Sequence, residues 1–105
     1  MNTMEPIQFS GISELNEDEK QVLKDICAKG YDRIKMFLHN ENTSVNVHIK
    51  TYRQKGDKKK YSVTLKAIAP TTKVFRSGTS DWILNNALND AFAKVEQEIR
   101  NHFKI

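Results

Sequence analysis

The sequence predicts an α+β fold: a two-layer sandwich with the order β-α-β-β-β-α, in which two helices cover one face of a four-stranded sheet. Two observations predict this fold. Apolar residues recur at helical spacing over residues 15–38 and again over residues 80–103. Between these stretches, apolar and polar residues alternate with a period of two, as they do in half-buried strands. The chain of 105 residues is long enough for one domain, which we expect to comprise residues 1–105.

The first strand and the first helix are predicted from a short alternating run and a helix-start pattern. Residues 1–6 are expected to be a flexible N-terminus, and residues 7–12 predict the strand. Asn16 can cap the helix, and Glu19 three residues later completes a capping box. The helix is predicted to end near Leu38, and Gly30 marks a place where it would bend or divide. Its apolar positions are Val22, Leu23, Ile26, Cys27, Ile34, Phe37 and Leu38.

Three antiparallel strands are predicted for the centre of the chain. Residues 44–52 alternate so that Val45, Val47 and Ile49 face one way and the polar residues between them the other. A polar loop with Gly56-Asp57 suits a hairpin, residues 61–67 return, and Pro70 ends that strand. Residues 73–77 predict a shorter strand, but their pattern leaves its inward face open.

The last helix is predicted to begin at Ser80 or Asp81, either of which can cap it. Trp82 would then lie in its first turn, where we expect it to pack against the edge of the sheet. The apolar stripe that faces the sheet consists of Leu84, Leu88, Ala91, Phe92, Val95, Ile99 and Phe103.

The charges are separated along the chain. The net charge is +4, but residues 1–19 carry five acids and no base, whereas residues 50–76 carry nine bases and one acid, Asp57. A segment with so large a positive excess attracts polyanions, of which nucleic acid is the usual one. A solvated basic surface without a ligand is the alternative interpretation.

The sequence also lacks the patterns of several other classes of protein. No apolar run is long enough to span a membrane, and no secretory signal is recognisable. The single Cys27 fits a reducing cytoplasm. His39, His48 and His102 are far apart and no glycine-rich phosphate loop is present, so we expect no metal, no cofactor, no small-molecule substrate and no catalysis.

Four groups of basic residues are candidates for contact with RNA phosphates. They lie at the tip of the hairpin, on the first helix beside Lys20 and Tyr31, on the outer face of the sheet beside His48 and Tyr52, and on the last helix. For each group an ordinary polar surface is the alternative. The candidate residues are Lys24, Lys35, Lys50, Arg53, Lys55, Lys58, Lys59, Lys60, Lys66, Arg76, Lys94 and Arg100.

Two stretches resemble a known family. Ser-Val-Asn-Val-His-Ile-Lys-Thr-Tyr at residues 44–52 and Lys-Tyr-Ser-Val-Thr-Leu-Lys-Ala at residues 60–67 resemble the central hairpin of the ribosome hibernation-promoting factors, also called ribosome-associated inhibitors or protein Y. Residues 77–81 and 93–102 are similar to the family's closing helix, in which Lys94 and Arg100 match basic positions. The resemblance implies a fold like that of double-stranded-RNA-binding domains.

The family also implies a function. Its members bind rRNA in the decoding region of the small ribosomal subunit, over the tRNA and mRNA sites, and so keep idle ribosomes inactive during stress. The expected partners are therefore the small ribosomal subunit and its rRNA, in the cytoplasm. Two alternatives stay open: a generic module for structured RNA, and a protein-interaction domain that uses Trp82 and the open sheet.

Overall fold

A computed structural model describes residues 6–70 and 73–104 of the chain, so the predicted flexible segment 1–6 lies outside the described residues except for Pro6. The order β-α-β-β-β-α and the α+β class are confirmed. The strands are β1 (Ile7–Ser10), β2 (Ser44–Arg53), β3 (Lys59–Ile68) and β4 (Phe75–Asp81), and the helices are α1 (Glu17–Leu38) and α2 (Leu84–Phe103).

The four strands form a sheet in the order β1-β2-β3-β4. β1 runs parallel to β2, which requires a crossover, and α1 supplies it. The other two pairs are antiparallel. The β2–β3 hairpin closes with a hydrogen bond from the Gln54 N–H to the Lys58 carbonyl, and Gly56 takes the positive φ of 75° that this turn needs.

Helix α1 begins as the capping box predicts. The Asn16 side chain accepts a hydrogen bond from the Glu19 N–H, and the Glu19 carboxylate accepts one from the Asn16 N–H. Gly30 neither breaks nor divides the helix, which is continuous over its 22 residues. Instead, Gly30 is the point at which α1 approaches Phe92 of α2.

The core lies between one face of the sheet and the two helices. The strand residues predicted to face inward, Val45, Val47 and Ile49, are buried, and so is the helix residue Cys27. Burial raises the pKa of the Cys27 thiol to about 12, as expected of a cysteine that only fills space. The last residue of the predicted α2 stripe, Phe103, lies in the final turn of the helix and is partly exposed, but its ring centroid is 6.4 Å from that of the buried Phe75 on β4.

The boundary between β4 and α2 differs from the prediction. The strand extends to Asp81, and α2 begins only at Leu84 with Ile83 at the cap position and no capping side chain. Caps at Ser80 or Asp81 were therefore wrong. The Asp81 carboxylate accepts a hydrogen bond from the Ile83 N–H, which turns the chain from the strand into the helix.

The inward face of β4 is held by hydroxyl groups. The side chains of Ser77 and Thr79 donate hydrogen bonds to the carbonyl groups of Ala91 and Ala87 on α2. Phe75 is the one large apolar residue that faces the core from this strand, which explains why alternation alone could not identify the inward face.

Candidate nucleic-acid interface

The β2–β3 hairpin carries its basic residues in two groups. Arg53, Lys55 and Lys58 are exposed, and we call these three residues the basic hairpin tip. Among residues 6–70 and 73–104, the ion pairs within 4.0 Å involve Lys20, Arg33 and Lys35, and none involves the tip. The tip is therefore available to an external anion.

Lys59 and Lys60 are half-buried at the base of the hairpin. Lys59 lies close enough to Glu19 for its positive charge to act on that carboxyl group. The Lys60 Nζ lies 5.5 Å from the centroid of the Trp82 ring, a cation–π contact. Of the three consecutive candidates Lys58, Lys59 and Lys60, only Lys58 therefore belongs to the tip.

A hydrogen bond between Tyr61 and Glu19 ties the base of the hairpin to the start of α1. Burial tends to raise the pKa of Glu19, but the bonds from Tyr61 and from the Asn16 N–H, together with the charge of Lys59, hold that pKa below its usual range. Burial, the hydrogen bond to Glu19 and the Glu19 charge raise the pKa of Tyr61 to about 12. The hairpin therefore projects from a fixed base.

The outer face of the sheet holds three further candidates, Lys50, Lys66 and Arg76. Lys66 and Arg76 are direct cross-strand neighbours on β3 and β4. The Lys50 Nζ lies 5.6 Å from the centroid of the Tyr52 ring. On the same face, His48 Nδ1 lies 2.7 Å from Ser10 Oγ.

The candidates on the helices are not brought together. Lys24 is exposed, and the Lys35 Nζ lies 3.8 Å from the Glu41 carboxylate. On α2, Lys94 points to β4, where its Nζ is 3.4 Å from the Gly78 carbonyl oxygen, whereas Arg100 lies over the Phe37 ring of α1 at 5.0 Å. These four residues do not form one surface with the hairpin.

Two aromatic predictions were wrong. Tyr31 was grouped with the exposed bases of α1, but it is buried and its hydroxyl donates to the Thr43 carbonyl at 3.0 Å. Trp82 was expected to pack against the sheet edge from the first turn of α2. It precedes the helix, and 52% of its surface is exposed.

The sequence did not single out a groove of about 660 Å³ between the two helices. Lys29 and Arg33 line it from α1, and Arg33 forms a 2.8 Å ion pair with the buried Glu96 of α2. Lys29 and Arg33 are four residues apart, which places them on one face of α1. This spacing was the signal in the sequence that could have pointed to the groove.

Neither a cluster of metal ligands nor a membrane-spanning helix is found within the described residues. Within them, no group of three or more potential metal ligands comes together. None of the helices in the part of the chain that the structure describes is both long and apolar enough to cross a membrane.

Comparisons with known proteins identify a solved structure of similar fold. No family model and no curated protein sequence matches the chain. Among solved structures, the chain is similar to the N-terminal domain of Thermus thermophilus Protein Y, with a TM-score of 0.66, 17% sequence identity, and 97% of this chain and 99% of that one covered. The resemblance inferred from the hairpin and the closing helix is confirmed at the level of the fold: the chain has the fold of the Protein Y N-terminal domain.

Proposed function

We propose that this protein binds rRNA in the decoding region of the small ribosomal subunit and inhibits translation by occupying the space that tRNA and mRNA need. The observation that carries the proposal is the basic hairpin tip, whose three exposed cations form no ion pair within the described residues. The fold shared with the Protein Y N-terminal domain supports it. The protein would act in the cytoplasm, on idle ribosomes under stress.

The physical basis is electrostatic anchoring combined with shape. Each phosphate that a lysine or arginine neutralises releases condensed counterions, so affinity falls steeply with salt. Structured RNA is recognised largely by its shape, and a rigid body that carries a projecting cationic hairpin suits a cleft lined by phosphates. The proposed role is one of binding and obstruction, and no covalent bond is made or broken.

The base of the hairpin determines how well the tip can act. The antiparallel pairing of β2 with β3 continues to the pair Arg53 and Lys59. The Tyr61–Glu19 hydrogen bond joins the adjoining part of β3 to the first turn of α1. A tip held in this way loses little additional conformational freedom when it binds, which favours affinity.

The test is co-sedimentation of the purified protein with small ribosomal subunits, together with inhibition of cell-free translation. The informative variant replaces all three residues of the basic hairpin tip by glutamine. Because up to three phosphate contacts are lost, we expect association to weaken by roughly tenfold or more and the slope of log affinity against log salt to fall by about 2 to 3. Inhibition of translation should weaken in parallel.

A control removes two exposed charges from the helical layer, as Lys29→Gln and Lys104→Gln, and should retain most of the binding. A loss per removed charge as large as that of the tip variant would remove the hairpin from the proposed site. A protein that stays at the top of the gradient at low salt would contradict the function itself. Equal affinity for small subunits and for free duplex RNA would instead indicate a generic RNA-binding module.

A further inference from the structure

The outer face of the sheet has an unusual charge distribution. Both helices pack against the other face, and the side chains that point outward are exposed or half-buried. Four of the outward positions on β2, β3 and β4 are basic, and Asp81, the one acid on the described strands, lies at an inward position. The basic residues are Lys50, Lys60, Lys66 and Arg76.

Two of these charges oppose each other directly. Lys66 and Arg76 are paired across β3 and β4, and their other cross-strand neighbour on this face, Asn46, is neutral. Like charges in this arrangement destabilise a sheet. A bound anion would relieve the repulsion, so the pair favours a polyanionic ligand on this face.

Aromatic rings stand beside the charges at the end of the face nearest the hairpin. Tyr52 on β2 pairs with Lys60 on β3, and Lys60 reaches the Trp82 ring just beyond β4. The two rings are 43% and 52% exposed. Rings that alternate with lysine side chains are the arrangement that binds single strands, because bases stack on the rings while the cations hold the phosphates.

A shallow cavity of about 270 Å³ opens on the same face. Gln8, Asn46, His48 and Lys66 line it with hydrogen-bond donors and acceptors, next to the Ser10–His48 contact. Such groups can bond to the edge of an unpaired base, whereas a paired base presents its Watson–Crick edge to its partner strand.

We infer that the open face of the sheet binds single-stranded RNA, with unpaired bases stacked on Tyr52 and Trp82 and phosphates held by Lys60, Lys66 and Arg76. A four-stranded sheet used in this way accommodates about two or three bases. The inference shares with the proposed function only the choice of RNA as the ligand. It concerns a different surface from the basic hairpin tip and does not require a ribosome.

The experiment uses the whole chain and a 12-nucleotide oligouridylate. Trp82 is the only tryptophan in the sequence, so its fluorescence reports on this face directly. We expect saturable quenching by the single strand and none by a 12-base-pair RNA duplex. Tyr52→Ala should weaken binding roughly fivefold or more, the lower end of what one stacked base contributes. Lys66→Gln with Arg76→Gln should reduce the salt slope by about 1.4, as expected for two phosphates of a single strand.

Two exposed lysines of the helical layer provide a matched control, because Lys29→Gln with Lys104→Gln removes the same charge from the opposite layer and should leave the slope unchanged. All the substituted positions are exposed or half-buried, so folding is not at risk. Absence of quenching, or equal effects of the two double variants, would overturn the inference. If the oligonucleotide does not bind but small ribosomal subunits do, the inference fails and the proposed function stands. If the oligonucleotide binds but small subunits do not, the proposed function fails and the inference stands.

Discussion

Replacing Gly30 by alanine should destabilise the protein, although the same change usually stabilises a helix. In an exposed helix interior, glycine is about 1 kcal/mol worse than alanine. Here a Cβ on residue 30 would lie 2.3 Å from Cδ1 and 2.5 Å from Cε1 of the Phe92 ring. Carbon atoms pack at about 3.5 Å or more, so the buried ring or the helix must move by roughly 1 Å. Overpacking of this kind costs about 1–3 kcal/mol, which outweighs the gain in helix propensity.

We therefore expect Gly30→Ala to reduce the free energy of unfolding by about 1 kcal/mol, which corresponds to a fall in Tm of about 4–8 °C for a domain of this size. Urea unfolding followed by circular dichroism measures the change. Ala28→Gly, at an exposed site on the same helix, measures the difference in helix propensity between alanine and glycine. Adding Phe92→Leu to Gly30→Ala should make the two changes less damaging than their sum, because the smaller side chain relieves the contact. An increase in stability with Gly30→Ala would refute the close approach of α1 to α2.

Three further predictions concern the hydrogen bonds of the tyrosines. Because the pKa of Glu19 is lowered in the folded protein, its contribution to stability is present above the ordinary value of about 4.3 and is lost as the pH falls through the lower folded pKa. Glu19→Gln should flatten this acid limb in pH-dependent urea titrations. The raised pKa of Tyr61 predicts that its contribution to stability is lost between about pH 10 and 12, and Tyr61→Phe should remove this part of the pH dependence. Tyr31→Phe leaves the Thr43 carbonyl without its donor and should lower the urea midpoint by the equivalent of about 1–2 kcal/mol, whereas Tyr52→Phe on the exposed face should change it by less than about 0.5 kcal/mol.

The elements that the sequence predicted well are those set by local signals. The start of α1 depends on two residues three positions apart, Asn16 and Glu19, and both bonds of the capping box form. In β2 and β3, strict alternation determines which side chains reach the core, and the structure agrees with the predicted inward faces. No contact between distant parts of the chain was needed for these inferences.

The elements that were predicted poorly depend on contacts between distant parts of the chain. β4 faces the core through the hydroxyl groups of Ser77 and Thr79, whose acceptors lie on a helix that comes later in the sequence. Tyr31 was grouped with the polar face of α1, but it is buried, and its hydroxyl donates a hydrogen bond to the Thr43 carbonyl. Hydrogen bonds of this kind have no periodic signature, so hydrophobic patterning cannot reveal them.

From the sequence, the candidate site could be predicted only as an excess of basic residues along one segment, and not as a defined surface of the folded protein. The count of bases over residues 50–76 directed attention to the hairpin and the sheet. It could not separate the exposed Lys58 from Lys59, which lies near Glu19, or from Lys60, which contacts Trp82. Helical spacing, by contrast, correctly places Lys94 and Arg100 on opposite sides of the apolar stripe of α2.

The two layers of the protein differ in charge, and this difference constrains how the protein can approach a polyanion. The strands carry six bases and one acid, whereas α1 carries five of each. In an approach to a polyanion, the field therefore turns the sheet and the hairpin towards the ligand. Glu17 and Asp18 stand in the first turn of α1, beside the Tyr61–Glu19 bond at the base of the hairpin. Their charges would repel phosphates there, so, if the protein binds RNA as proposed, a strand that contacts the basic hairpin tip should be directed onto the open face of the sheet and away from the helical layer.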